Sequence, residues 1–490
     1  MKKVGIIGSG FSGLAAAACL AKSGYDVTVL EKNAQLGGRA RTFHQEGFTF
    51  DMGPSWYWMP EVFEQFFNHF GKKASDYYTL LRLDPSYEVV FGKDDKVDLP
   101  ADYNELKALF ESIEPGSSHQ LDLFLKDAEY KYTVGMEEFV WKPGHSIREF
   151  ADIRVVNSLF KLQMLSSIAS QIDKLFKNEK LRNILKFPVL FLGATPENTP
   201  ALYSLMNYAD LKLGTWYPMG GMYKVIEGFI SVAKEQGAKF LTDAAVTSIV
   251  QTKDKTLQVH TSGGVYIFDY VVASADYNHV DQKLLQLDAR NYSPQYWEKR
   301  TMAPSSLLFY LGLNTKLKNV RHHTLFFDRD FSRHAHEIYT EPSWPSEPLF
   351  YMCCPSVTDA SVAPKGFENI FLLMPLAPGM TDTETLRDTY FDIMCRRVDE
   401  IFAVDIRPHI IYKKSYCISD FISDYNAYKG NAYGLANTLT QTAFLKPKMS
   451  NKKLTNLYYT GQLTTPGPGV PPSIISGQVV AGEIIKSDKR

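Results

Sequence analysis

Six residues near the start, Gly8-Ser9-Gly10-Phe11-Ser12-Gly13, constrain this chain more than any other segment. They follow the short run Lys3 to Ile7, apolar and β-branched as a buried parallel strand is. They lead into an alanine- and leucine-rich stretch, Ser12 to Lys22, that favours a helix. Gly24 ends that helix and Asp26 to Glu31 gives a second strand, so the start of the chain reads as one β-α-β unit. In such a unit each glycine has a physical task. Gly8 permits the tight turn, Gly10 lets the backbone approach a pyrophosphate, and Gly13 lets helix and strand pack closely. The free amides at the helix start, near Phe11 and Ser12, then face the phosphates. Glu31, 21 residues beyond Gly10, ends the second strand where a carboxylate can accept bonds from ribose hydroxyls. Strand, helix, strand and acid in register predict a dinucleotide-binding fold. The same register answers a competing reading of the N-terminus. Met1-Lys-Lys followed by the uncharged run Val4 to Ala21 has the look of a signal peptide, but a segment that builds a cofactor site cannot also be cleaved off.

The next motif, Gly37-Gly38-Arg39-Ala40-Arg41-Thr42, begins six residues after Glu31. Gly38 with its neighbour permits a second close approach to the cofactor, and Arg39 offers a fork of donors to phosphate. Arg41 reads as a solvated surface charge. At this point the chain resembles the flavoprotein oxidoreductases of the amine oxidase and phytoene desaturase superfamily, in which Gly-Gly-Arg follows the dinucleotide unit. Asp51-Met52-Gly53-Pro54-Ser55 extends the resemblance. It implies that Gly53, Pro54 and Ser55 pass beside the flavin ring. Tyr217-Pro218-Met219-Gly220-Gly221-Met222, followed by helix, strand and Val246, looks like the block that completes the cofactor domain. There the resemblance implies a backbone bond from Val246 to the adenine edge. Near the C-terminus, Tyr458-Tyr459-Thr460-Gly461 precedes Pro466-Gly467-Pro468-Gly469-Val470-Pro471-Pro472. This resembles the P-G-x-G-V-P segment of bacterial phytoene desaturases, where amine oxidases usually differ. It implies Gly461, Gly469, Val470 and Pro471 at the flavin, with proline opening a helix whose positive end faces the reduced ring. Gly477 and Gly482 on that helix read as close packing.

The resemblance spans the chain. It implies an α/β protein (α+β overall) with a Rossmann-like FAD-binding domain of amine oxidase-like topology, assembled from residues 1–70, 215–290 and 455–490. A mixed-sheet substrate domain of residues 71–110 and 291–454 is inserted into it, and the mainly helical 111–214 is the candidate membrane-facing part. It further implies FAD as cofactor, a lipophilic carotenoid as substrate, and peripheral attachment to the cytoplasmic face of a membrane. The leading expectation is a phytoene desaturase-like enzyme that introduces C=C bonds into an acyclic carotene by hydride transfer to flavin. Desaturation of a later, hydroxylated or monocyclic (γ-carotene-type) carotenoid stays open, as do a carotene isomerase, a flavin amine or porphyrinogen oxidase, and a non-enzymatic FAD-binding module. The oligomeric state and the final electron acceptor, oxygen or a quinone, are not legible.

Composition narrows the partners. With 53 basic against 54 acidic residues and no basic stripe, nothing favours nucleic acid. Cys19, Cys353, Cys354, Cys395 and Cys417 form no CxxC pair, so no metal site is expected and the thiols read as free and buried in a reducing cytosol. No run of about 18 apolar residues predicts a transmembrane helix. No Ser/His/Asp set, Cys/His pair or carboxylate dyad stands out, so no catalytic residue is named and the chemistry falls to the cofactor. His322, His323, His334 and His336 read as surface residues. Trp56-Tyr57-Trp58 offers flat rings to a polyene channel. Val155 to Lys177 and Leu181 to Leu192, carrying Lys161, Lys174, Lys177 and Lys180, read as amphipathic helices suited to a membrane interface.

Overall fold

Strand β1 (Lys3–Ile7) is apolar on both faces, and Val4 and Ile6 are wholly buried, so it needs cover above and below. The computed structural model, which describes residues 1–146, 149, 166–438 and 440–489, provides that cover. Strand β1 is the middle of a five-stranded sheet ordered Leu457–Tyr459, Tyr270–Ala273, β1, β2 (Asp26–Leu30), Lys239–Leu241. Every pair is parallel. Segments from the start, the middle and the end of the chain therefore share one sheet. Helix α1 (Phe11–Lys22) lies across it, buried from Phe11 to Ala21. Its alanines leave a narrow waist against which the helices Tyr223–Glu235 and Val470–Asp488 pack. Beside this sheet, Val246–Gln251, Leu257–Thr261 and Gly264–Phe268 form an antiparallel ribbon.

The second sheet has seven strands in the order Ile410–Tyr416, Ser305–Leu313, Glu368–Leu376, Phe350–Cys353, His323–Phe326, Tyr87–Gly92, Asp95–Leu99. It is mixed, since His323–Phe326 runs parallel to Tyr87–Gly92 and the other pairs are antiparallel. Ser305–Leu313 is buried along its whole length. Its alternate residues serve two cores. Leu307, Phe309 and Leu311 cluster with Tyr390, Met394 and Val398 of the helix Glu384–Phe402. Leu308 and Tyr310 face the other way, and Tyr310 sets its ring against Phe43 and Phe50.

The helices Ser117–Val134, Ile168–Leu175, Glu179–Lys186 and Leu205–Leu211 pack together as a further layer. The part of the expected helix from residue 155 to 165 lies outside the described residues. In the rest the apolar faces point inward: Ile168 and Ile172, then Leu181, Ile184 and Leu185, are buried. Lys180 is held by Asp95 at 2.6 Å and Lys186 by Asp173 at 2.9 Å. These two helices spend their amphipathic faces on the protein core. Among the described residues no helix is long and apolar enough to cross a membrane. The five cysteines are free and buried.

Candidate functional site

One cavity of about 900 Å³ runs from the glycine turn to the second sheet. Its first wall is the β1–α1 turn, with Gly8, Gly10, Phe11 and Ser12. Gly8 has φ +97°, a conformation that L side chains avoid. A Cβ on Gly10 would meet nothing within 4 Å, so the backbone there is open to an approaching group. Gly13 lies behind the wall, where a methyl would collide with the Gly8 carbonyl oxygen; its role is packing. Gly10 caps α1 with no side-chain bond, which leaves the first-turn amides facing the cavity as donors. Glu31 stands at the lip, accepting from Ser9 N at 3.0 Å, Ser9 Oγ at 2.6 Å and Asn33 N at 3.0 Å. Ser9 was not singled out by the motif, yet its hydroxyl also accepts from Gly37 N at 3.1 Å and ties the two glycine turns together.

Gly38 and Arg39 form the next stretch of wall. Arg39 donates to the Asn431 carbonyl at 3.3 Å and lies 5.2 Å from the Tyr425 ring. Its Nε is buried with no partner among the described residues, a donor set suited to an anion. Arg41 is no solvated charge. It pairs with Asp424 at 2.7 Å and faces the Tyr425 ring, because Asp424 belongs to a helix, Ile418–Tyr425, that folds over the turn. Val246 lines the cavity with Ala244 and Ala245. Gly461, Gly469, Val470 and Pro471 line the same cavity together with Gly53, Pro54 and Ser55. The fold thus brings all the cofactor-site residues expected from sequence, except the packing residue Gly13, onto one surface. Two further polar groups lie beside Gly467: Lys446 Nζ and Asn437 Oδ1 are buried without partners among the described residues. Burial pushes the Lys446 ammonium down to about 7.

Beyond Ser55 the lining turns apolar, with Trp56, Trp58, Met59, Leu373 and Phe444. Tyr57 points away, stacked on Phe63 at 4.1 Å and bonded to Tyr78. The histidines expected at the surface divide. His336 is exposed, but His322, His323 and His334 are buried, because strand His323–Phe326 lies inside the second sheet and His334 accepts from Leu349 N at 2.8 Å. His323 stacks on Trp56 with centroids 4.1 Å apart. Its Nδ1 lies 2.6 Å from the Tyr351 hydroxyl, itself a cavity residue. His322, His323 and Cys353 have ligand-type atoms within 4.8 Å of one another. No sequence spacing announced this cluster; strand pairing builds it.

The chain matches the family of flavin-containing amine oxidoreductases over residues 11–485. It is 41% identical to a carotenoid 3,4-desaturase of Haloarcula japonica over 484 residues, 99% of this chain and 98% of that one. It is 33% identical to a 4,4'-diapophytoene desaturase (4,4'-diaponeurosporene-forming) of Staphylococcus aureus, with 99% of each chain covered. Among solved structures, a putrescine oxidase variant aligns at TM-score 0.64 and 12% identity, covering 99% of both chains. An oxidoreductase of Methanosarcina mazei aligns at TM-score 0.62 and 16% identity, covering 99% of this chain and 100% of that chain. At such identities the structural likeness speaks for the fold.

Proposed function

The chain belongs to the flavin-containing amine oxidoreductase family, and from that premise we propose that it is an FAD-dependent carotenoid desaturase whose substrate is an acyclic carotene already carrying a conjugated run. The observation that carries this is the 41% identity, end to end, with a carotenoid 3,4-desaturase. That exceeds the 32–33% shared with the diapophytoene desaturases, which favours a carotenoid other than a phytoene-type one.

The residues fit FAD. The open backbone at Gly10, the α1 amides and the Arg39 guanidinium suit a pyrophosphate. Glu31 suits a ribose, and Val246 the adenine edge. Gly53, Pro54, Ser55, Gly461, Gly469, Val470 and Pro471 would hold the ring. Bound FAD supplies a two-electron acceptor. The protein's own part is position and dryness: Trp56, Trp58, Met59, Leu373 and Phe444 give a polyene an apolar wall and exclude water. Attachment to the cytoplasmic face of a membrane follows from a substrate that resides in lipid. Five free thiols suit a reducing compartment, and flotation with vesicles tests the attachment.

The substrate is tested by giving the purified holoprotein acyclic carotenoids of increasing conjugation in liposomes. Loss of two hydrogens by mass and a red-shifted spectrum are expected from the conjugated members. Equal or faster turnover of phytoene would assign the first substrate instead, and peroxide formed from an amine alone would remove the carotenoid reading.

A further inference from the structure

A carotenoid that gains a double bond loses two hydrogens, and the residues assigned above provide for one. On one carbon the C–H bond breaks and its electron pair leaves with the hydrogen, as hydride, for the flavin. On the adjacent carbon the C–H electron pair becomes the new π bond, and a proton is left to be removed.

A chain of polar groups leads from the cavity wall into the second sheet. Ser55 and Tyr351 both line the cavity. Their oxygens are 3.0 Å apart, with the Tyr351 hydroxyl donating to Ser55 Oγ; the relay requires both hydroxyls to turn, so that Ser55 donates to Tyr351 and Tyr351 to His323. The Tyr351 hydroxyl lies 2.6 Å from His323 Nδ1. His323 is wholly buried, and its Nε2 has no hydrogen-bond partner among the described residues. The geometry is fixed from two directions. Strands His323–Phe326 and Phe350–Cys353 pair antiparallel with His323 opposite Cys353, so His323 and Tyr351 are diagonal neighbours on one face. The imidazole is also stacked on Trp56 with its plane inclined by only 12°. A half-satisfied imidazole in a dry core is costly, and this one ends a hydrogen-bonded path from the cavity wall.

We propose that Ser55, Tyr351 and His323 form the proton-accepting chain of the desaturation, an inference that rests on the desaturase reading above. Ser55 Oγ takes the proton from carbon, the Ser55 proton passes to the Tyr351 oxygen, and the Tyr351 proton passes to His323 Nδ1. The products are a C=C bond, a flavin reduced by two electrons and an imidazolium. Ser55 is the catalytic residue of this step, and Tyr351 and His323 act through it as positioning and accepting groups. Burial, with His322 beside it, holds His323 well below the usual histidine range, so at rest it is neutral and able to accept. A weak base is enough, because a C–H bond beside an allylic cation is far more acidic than an imidazolium.

Two measurements on the holoenzyme test this. The first follows anaerobic flavin bleaching with carotenoid-loaded liposomes, in H₂O and D₂O, for wild type, Tyr351→Phe, His323→Gln, Ser55→Ala and Ser55→Thr at matched FAD content. Wild type is expected to show a solvent isotope effect. Tyr351→Phe, His323→Gln and Ser55→Ala are expected to bleach on the order of 100-fold more slowly with KM unchanged. Ser55→Thr, which keeps the hydroxyl, is expected to recover at least about tenfold of the rate lost in Ser55→Ala. Variants within about threefold of wild type would overturn the relay. Wild type left oxidised by every carotenoid would sink the desaturase reading and the relay with it. The second reads the ¹⁵N signals of His323 in carotenoid-free protein, where Nδ1 is expected to be the unprotonated nitrogen. A proton resident on Nδ1, or a stoichiometric metal at Nε2, would overturn the inference whatever the kinetics show.

Discussion

Gly13 and Asp51 show how single positions hold the cofactor turn in shape. A methyl on Gly13 would strike the Gly8 carbonyl and come within 3.0 Å of Ser274 Oγ. Gly13→Ala is therefore predicted to cost about 1–3 kcal/mol of stability and to loosen FAD, as read by denaturant melts and retained flavin; wild-type values on both would contradict the packing role. Asp51 caps the helix Tyr223–Glu235, accepting from Met222 N at 2.6 Å and Tyr223 N at 3.2 Å. Burial lifts its carboxyl from 3.8 to about 7 against the pull of those two bonds. Between those values the unfolded chain ionises while the folded one keeps its proton, so stability falls as pH rises through that window. Asp51→Asn removes the titration, and its melting temperature relative to wild type is predicted to climb across the same window; a constant offset would contradict this. The glycines and Arg39 were legible because their tasks are local. His323 and Tyr351 were not, because two separate strands must pair before they meet. Arg41 was misread for the same reason: its partner Asp424 is distant in sequence.

The final helix, Val470–Asp488, separates two glycines that looked alike in the sequence. Gly477 faces α1, where a methyl would collide with the Ser12 carbonyl and lie 2.9 Å from the Ala15 methyl. At Gly482 an added methyl would meet nothing within 4 Å, so the packing role expected there is corrected. Gly477→Ala is predicted to destabilise by about 1–3 kcal/mol, while Gly482→Ala should be neutral or stabilise by up to about 1 kcal/mol through helix propensity. Equal shifts in their denaturation midpoints would refute this assignment of faces. The element itself was legible from proline at its start, whereas which side meets α1 depends on the crossing of two helices. The helices Ile168–Leu175 and Glu179–Lys186 teach the converse lesson. Amphipathic pattern and basic flanks suited a membrane surface, but the apolar faces meet the protein core and, of the lysines named there, Lys180 meets a carboxylate.

Across the whole molecule, the dinucleotide-type sheet takes strands from three separated stretches of chain, and the cavity is closed by the second sheet. That division was visible in sequence because each stretch carries its own glycine motif. The seven-stranded sheet was visible only in parts, as buried runs whose order no local signal sets. A cofactor touching all three stretches should bind them into one unit. Removing FAD is predicted to lower the melting temperature, with excess FAD restoring it in a concentration-dependent way; an apoprotein that melts like the holoprotein would contradict the shared site. The central claim is that one cavity holds flavin and carotenoid together and passes electrons between them. Its most direct test is an anaerobic titration of the holoenzyme with an acyclic conjugated carotenoid in liposomes, following flavin and polyene absorbance together. The account predicts that flavin bleaches in step with a red-shifting polyene, one flavin reduced for each double bond formed. A flavin that stays oxidised while the carotenoid is unchanged, or a polyene that changes without flavin reduction, would contradict it.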